Sequence, residues 1–274
     1  AINCVISVAF FGISEAWRGL RSMVRMPVPG TATVIYYHQV KLPDRGRFAR
    51  QMDHLLRWSA PVRADFNAPL APGSHSVAVT FDDGWVSFVE NALPELERRN
   101  IPATVFMITN FMGSKLDDDP NERLMSAQEL KSIPSTLVTI GSHTLTHCML
   151  TSVDEDEAKR QLSESRATLR HLLEREVDLF AFPFTVYNSH LLELCRETGY
   201  ARAFTGRPCF ARPGEFETGR VRVDPSDSLL EFHLKLMGAY RWMPLAMAAK
   251  RWLRSDMREV ATKTPVGAVN PPSA

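Results

Sequence analysis

A chain of 274 residues is long enough for one large domain or two small ones, at roughly 150 residues per domain. Its 32 Lys and Arg nearly balance 31 Asp and Glu, and the formal net charge of +1 argues against a protein whose main work is neutralising nucleic-acid phosphates. At 45% hydrophobic and 23% charged, the composition supports a buried core and excludes a disordered chain. Four scattered cysteines, Cys4, Cys148, Cys195 and Cys209, form no C-x-x-C pair, so they make neither a zinc ribbon nor a disulfide framework.

In chain order, residues 1–13 are apolar and are followed by Arg18, Arg21 and Arg25. This run is shorter than the ~18–20 residues that span a bilayer, and no cationic leader or small-residue cleavage site accompanies it. Residues 1–30 therefore read as a helix packed on the domain or as an anchor remnant, and the opening on Ala1 rather than Met leaves room for upstream sequence. Thr31–Tyr37 is β-branched and aromatic, as a buried strand requires. Phe48, Met52, Leu55 and Leu56 share one face of a helix over 47–58. The alternation continues with strands at 77–81, 103–108, 137–140, 179–182, 202–205 and 220–223. Helices fall at 86–99, 154–176, 189–198 and 226–237. Seven strands alternating with helices and no linker predict one α/β domain over 31–240, with a parallel sheet or barrel. Residues 241–274 carry six Lys or Arg against Asp256 and Glu259 and read as a basic amphipathic helix followed by a disordered tail. Such a helix docks on the barrel or touches an anionic membrane surface.

In an α/β barrel the reactive groups gather where strands end. Strand 77–81 runs into Asp82-Asp83-Gly84, strand 137–140 into Gly141-Ser142-His143 and on to His147, and strand 179–182 into Pro183-Phe184. Two adjacent carboxylates after an apolar strand need a compensating cation or hydrogen bonds. The i, i+4 spacing of His143 and His147 lets two imidazoles reach one ion from a single helical turn. One carboxylate added to them completes the three-ligand set of an open catalytic metal site and leaves the other as a base.

Together, Val79-Thr80-Phe81-Asp82-Asp83-Gly84, Ser142-His143-Thr144-Leu145-Thr146-His147 and Phe180-Ala181-Phe182-Pro183-Phe184 closely resemble the polysaccharide deacetylase (NodB-like) family, carbohydrate esterase family 4, over roughly residues 31–224. The resemblance implies a single distorted (β/α)7 barrel that removes N-acetyl groups from an amino-sugar glycan with a divalent metal ion, zinc first, with nickel, cobalt, iron or manganese as alternatives. It assigns Asp82 as general base and Asp83, His143 and His147 as metal ligands. Pro183 and Phe184 become a wall of the sugar groove, with the Phe184 N–H as oxyanion donor. Trp85 is assigned to the groove or to packing beneath the loop.

For the general acid, Tyr36-Tyr37-His38-Gln39-Val40 resembles the circularly permuted branch that includes poly-N-acetylglucosamine deacetylases, which favours His38 over His233 in Leu230-Glu231-Phe232-His233. Two departures stand out. The Arg that many relatives place shortly before the proline is missing, and Thr185 stands where Gly is common. Arg220 or Arg222 could replace that Arg, although an exposed strand charge is the preferred reading of both. The competing classes fit less well. An iron oxygenase or a haloacid-type phosphatase needs a different spacing of its acids, and a silent glycan-binding barrel leaves the intact Asp82, Asp83, His143 and His147 set unexplained. Location reads as cell-envelope-associated or cytoplasmic, and the glycan and the oligomeric state stay open.

Overall fold

Near-continuous apolar runs such as Thr31–Tyr37 belong to strands buried on both faces, and the computed structural model, which describes residues 2–116 and 119–248, lays them side by side in one parallel sheet. The chain begins with α1 (Ile2–Met23), then β1 (Thr31–Tyr37), α2 (Arg45–Trp58), the short β2 (Ala60–Pro61) and β3 (His75–Phe81). After α3 (Leu93–Arg99) and β4 (Ala103–Met107) come an antiparallel pair, β5 (Lys115–Leu116) and β6 (Asp119–Arg123), and α4 (Ala127–Ser132). Next are β7 (Val138–Ser142), α5 (Glu155–Leu173), β8 (Leu179–Ala181), α6 (Ser189–Glu197) and β9 (Arg202–Thr205). The chain then forms β10 (Glu217–Gly219), β11 (Val221–Arg222) and α7 (Leu229–Leu236).

The sheet order is β10-β9-β8-β7-β4-β3-β1-β11, with β2 beside β3. The single strand expected at 220–223 is instead two short strands that change neighbours at Arg220. Glu217–Gly219 pairs with β9 at one edge and Val221–Arg222 with β1 at the other. One segment thus bridges both edges, and the sheet nearly closes into a (β/α) barrel, as expected. Alternation along the strands splits the core. Ile35, Tyr37, Val79, Phe81, Val105 and Met107 pack outward under the helices, while Val34, Ala78, Ala181, Phe106 and Phe204 pack inside the barrel.

The expected helices are present, with shifted ends that have local causes. Asp154 caps α5 by accepting from the Glu157 N–H at 2.8 Å, and Ser228 caps α7, so that helix starts later than residue 226. The helix expected over 86–99 opens with a π-helical turn at Phe88–Ala92 before α3, next to Pro94, which has no N–H to continue the α-helical ladder. Residues 1–30 do contain a helix, α1, packed against α7 and the turn at Ala239–Trp242. The basic amphipathic helix and tail expected over 241–274 lie, from residue 249 onward, outside the described residues.

Candidate active site

The C-terminal ends of β1, β3, β7 and β8 form the mouth of the barrel, and every sequence-predicted site residue except Trp85 sits there. His38 follows β1, Asp82 and Asp83 follow β3, His143 and His147 follow β7, and Pro183 and Phe184 follow β8. Asp83 has φ 69° and Gly84 φ 85°, a left-handed pair that turns the chain sharply after Asp82 and sends the two carboxylates different ways. A Cβ on Gly84 would also strike Met107, so this turn requires glycine.

Asp82 points into the barrel. It is buried and accepts two hydrogen bonds from Arg220, Nη1 to Oδ1 at 2.6 Å and Nη2 to Oδ2 at 2.9 Å. Arg220 Nη1 also donates to Thr80 Oγ1 at 3.1 Å, and the guanidinium carbon lies 4.5 Å from the Tyr36 ring centre and 5.2 Å from that of Phe106. The expected exposed strand charge is therefore wrong for Arg220, which is fully buried, and right for Arg222, which is exposed. The reason is the break between β10 and β11: the residue at which the strand changes neighbours turns inward. Arg220 is thus the arginine that holds Asp82 in a chain with none shortly before Pro183.

Asp83 faces the other way, toward the imidazoles. Its Oδ1 lies 3.4 Å from Nε2 of both His143 and His147, and this buried oxygen has no hydrogen-bond partner. The ligand atoms of the three side chains lie within 4.8 Å of one another. Burial pushes the Asp83 carboxyl up, but His143 beside it and the charges of His38 and His147 hold it on balance well below the usual carboxylate range. Four atoms at the corners of a tetrahedron about 2.1 Å from its centre are about 3.4 Å apart, so an orphaned oxygen at that distance from two imidazole nitrogens suits a shared divalent ion. His143 Nδ1 donates to the Ala181 carbonyl at 2.7 Å, which fixes the ring with Nε2 turned toward Asp83.

The His-x-x-x-His segment is not the helical turn its spacing suggested. It is a loop in which Thr144 (φ 70°) and His147 (φ 58°) are left-handed. Gln161 of α5 fixes it, its Oε1 accepting from the Leu145 and Thr146 N–H groups and its Nε2 donating to Thr146 Oγ1. Nothing in the sequence marks Gln161 for this role, because it lies fourteen positions beyond His147 on a helix whose face looks ordinary.

His38 is half-buried and near enough for its charge to act on Asp83. His233 sits elsewhere, in the outer helical layer, hydrogen-bonded to His54 at 3.0 Å and packed edge-on against Trp58 and Phe11. Phe184 is 52% exposed, with its ring centre 4.5 Å from that of His147. Phe184 and Thr185 are both left-handed, φ 56° and 58°, which accounts for the frequent glycine at the second position. Thr185 fits because Gly206, with no Cβ, leaves room for its side chain. A cavity of about 390 Å³ opens at the opposite end, beside Arg63, Asp65, Arg175 and Asp178, and among the described residues the one converging metal-ligand set is at the mouth, not there.

Residues 70–203 match the sequence profile described as polysaccharide deacetylase. Over that stretch, just under half of its length, the chain is similar to polysaccharide deacetylases. Within the match lie Asp82, Asp83, His143, His147, Pro183 and Phe184, while His38 and Arg220 fall outside it. The peptidoglycan-N-acetylglucosamine deacetylase of Bacillus cereus is 30% identical over 138 residues, 50% of this chain and 44% of that protein. The poly-beta-1,6-N-acetyl-D-glucosamine N-deacetylase of Staphylococcus aureus is 27% identical over 171 residues, 58% of each chain. The structure of IcaB from Ammonifex degensii superposes with a TM-score of 0.67 at 25% identity, covering 78% of this chain and 98% of that one. This chain spans about half the length of the curated relatives it matches.

Trp85 does not line the mouth. It is buried, pairs through its backbone with Leu124, and its indole Nε1 donates to Asp83 Oδ2 at 2.9 Å. The carboxylate is thereby held with Oδ2 occupied and Oδ1 turned toward the imidazoles. Replacing Trp85 by Phe keeps the ring and removes the donor. Titration calorimetry should show divalent-ion affinity falling about 10- to 100-fold with the fold intact, and unchanged affinity would leave Trp85 a packing residue only.

Proposed function

We propose that this domain hydrolyses N-acetyl groups from an N-acetylglucosamine-type polysaccharide, with zinc as the preferred ion. The observation that carries the reading is the division of labour between two adjacent carboxylates: Asp82 is clamped by Arg220, and Asp83 is turned toward two imidazoles. Two imidazoles and one carboxylate suit zinc, with nickel, cobalt, iron and manganese as weaker alternatives. A divalent ion held by Asp83, His143 and His147 would polarise the acyl oxygen and acidify the attacking water.

The chain's own groups supply the proton transfers. Asp82 takes a proton from the water as its oxygen bonds to the acyl carbon, and the two hydrogen bonds from Arg220 keep that carboxylate aimed. The backbone N–H of Phe184 donates to the acyl oxygen as charge develops there, and Pro183 and the Phe184 ring form the wall against which the sugar lies. His38 delivers a proton to the sugar nitrogen as the C–N bond breaks, because an amide nitrogen expelled as an anion is too basic to leave. The products are acetate and a free amino sugar.

Acetate release from N-acetylglucosamine oligomers linked β-1,6 or β-1,4 tests this reading. His38→Ala is expected to lower turnover at least 100-fold, in the range general acid catalysis contributes, while His233→Ala leaves it unchanged. Loss in His233→Ala alone would move the acid to α7, and no release from any N-acetylated glycan by the metal-loaded protein would remove the activity itself.

A further inference from the structure

The foot of the barrel holds charge that the fold leaves unbalanced. The cavity of about 390 Å³ opposite the mouth is lined by the N-terminal ends of β7, β8 and β9 and by the loop over 62–67. Arg202, the first residue of β9, borders it and is only 3% exposed. Its guanidinium donates to the Ala64 and Phe66 carbonyls at 2.6 and 2.9 Å and to Asn67 Oδ1 at 3.5 Å, all neutral acceptors. Among the described residues no carboxylate comes within ion-pair distance of it, and Asp65 and Glu215 act on its charge only from farther off. An arginine keeps its charge when buried, so carbonyl dipoles offset part of the desolvation cost and a counter-ion would offset more.

The carboxylates around the cavity are already paired. Arg63 clamps Asp65 with two hydrogen bonds, at 3.0 and 2.9 Å, and in the loop before β8 Asp178 accepts from Arg166 at 3.0 Å and Glu176 from Arg170 at 2.6 Å. Arg175, in that same loop and half-buried, makes no hydrogen bond or ion pair among the described residues, and Arg63 is near enough to repel its charge. Two guanidiniums, one buried and one at the rim, therefore border one cavity with no anion between them. Thr139 adds a third unpaired group. Val138 and Ile140 belong to the outer core, so alternation turns Thr139 inward, where its Oγ1 is buried beside the cavity without a partner. An orphaned hydroxyl is costly unless something accepts from it or donates to it.

We infer that this foot cavity binds a phosphate group, free or carried by a small sugar. Guanidinium forks match the oxygens of a phosphate, and the Thr139 hydroxyl supplies a further donor. The volume lies at the small end of the roughly 300–1,000 Å³ that ligand pockets span, which suits a small solute and leaves no room for a polymer inside. Asp82 and Asp83 stand at the other end of the barrel, so the site is separate from the mouth and this inference is independent of the catalytic reading.

The test is calorimetric titration of the chelator-stripped full chain with inorganic phosphate, glucose 6-phosphate and glucose, in about 150 mM sodium chloride so that chloride competes. Both phosphates are expected to bind and glucose not to. Equal affinity for the two means that the phosphate group alone is recognised, and a tenfold preference for glucose 6-phosphate means that the cavity also takes the sugar. Arg175→Glu is expected to weaken binding at least tenfold. Thr139→Val keeps the shape and removes the orphaned hydroxyl, so binding should weaken about threefold while the unfolding midpoint holds or rises. Asp83→Ala, at the mouth, should bind phosphate as the wild type does. Failure of the wild type to bind either phosphate, or unchanged binding in Arg175→Glu, overturns the inference. So does loss of binding in Asp83→Ala, because the anion would then sit at the mouth.

Discussion

Replacing Arg220 with Met is expected to lower acetate release at least 100-fold and folding stability by about 3–5 kcal/mol, the range for removing one partner of a buried ion pair. The Asp82 carboxylate accepts both of its guanidinium hydrogen bonds inside the barrel, where Tyr36 and Phe106 supply rings but no second cation. Without Arg220 the domain must either bury an uncompensated anion or protonate it, and a protonated Asp82 is no base. Arg220→Lys should recover part of the stability and little of the activity, because a single ammonium cannot make the parallel pair. The double variant Arg220→Met/Asp82→Leu separates positioning from packing. It is expected to regain much of the lost stability, since both charges are gone, while staying inactive. Urea unfolding and acetate release on the four proteins check this. Wild-type turnover in Arg220→Met would show that Asp82 needs no such partner.

Adding zinc to chelator-stripped protein is expected to raise its unfolding temperature, and the rise should vanish in Asp83→Ala and His143→Ala. An ion that binds only the folded state stabilises it by about 2.7 kcal/mol at 100 times its dissociation constant, or roughly 5–10 °C for a chain of this size. Asp83 Oδ1 is a buried carboxylate oxygen with two imidazole nitrogens at 3.4 Å and no hydrogen bond. An arrangement of that kind is strained toward a missing positive charge, so the folded state gains when one is supplied. Either variant removes one of three ligands and should weaken binding more than 100-fold by calorimetry, beyond what loss of an outer-sphere hydrogen bond does. Equal zinc stabilisation of all three proteins would place the ion somewhere else.

Much of the site was legible because it is local in sequence. Asp82 and Asp83 directly follow an apolar strand, His143 and His147 follow another, and Pro183 and Phe184 a third. Strand ends in a parallel barrel share one mouth, so reading the strands correctly was enough to bring these residues together. His38 follows β1, but it was singled out by the resemblance of Tyr36-Tyr37-His38-Gln39-Val40 to the permuted branch. What failed depended on side-chain direction. Trp85 is sequence-adjacent to the site, yet the left-handed Asp83 and Gly84 turn the chain so that its indole enters the protein and reaches Asp83 from beneath. His143 and His147 kept their expected convergence while the helical turn assumed between them is a loop held by Gln161.

The amino-acid sequence by itself determined the alternation of strands and helices, the single parallel sheet and the set of reactive groups at its mouth. Each of these follows from periodicity and from order along the chain. Only the tertiary structure decided that Arg220 is the partner of Asp82, although 138 positions separate them. That pairing arises because the closing strand changes neighbours at one residue and turns its side chain inward. A register event of this kind is set by how the two edges of the sheet meet, and no local pattern of residues encodes it.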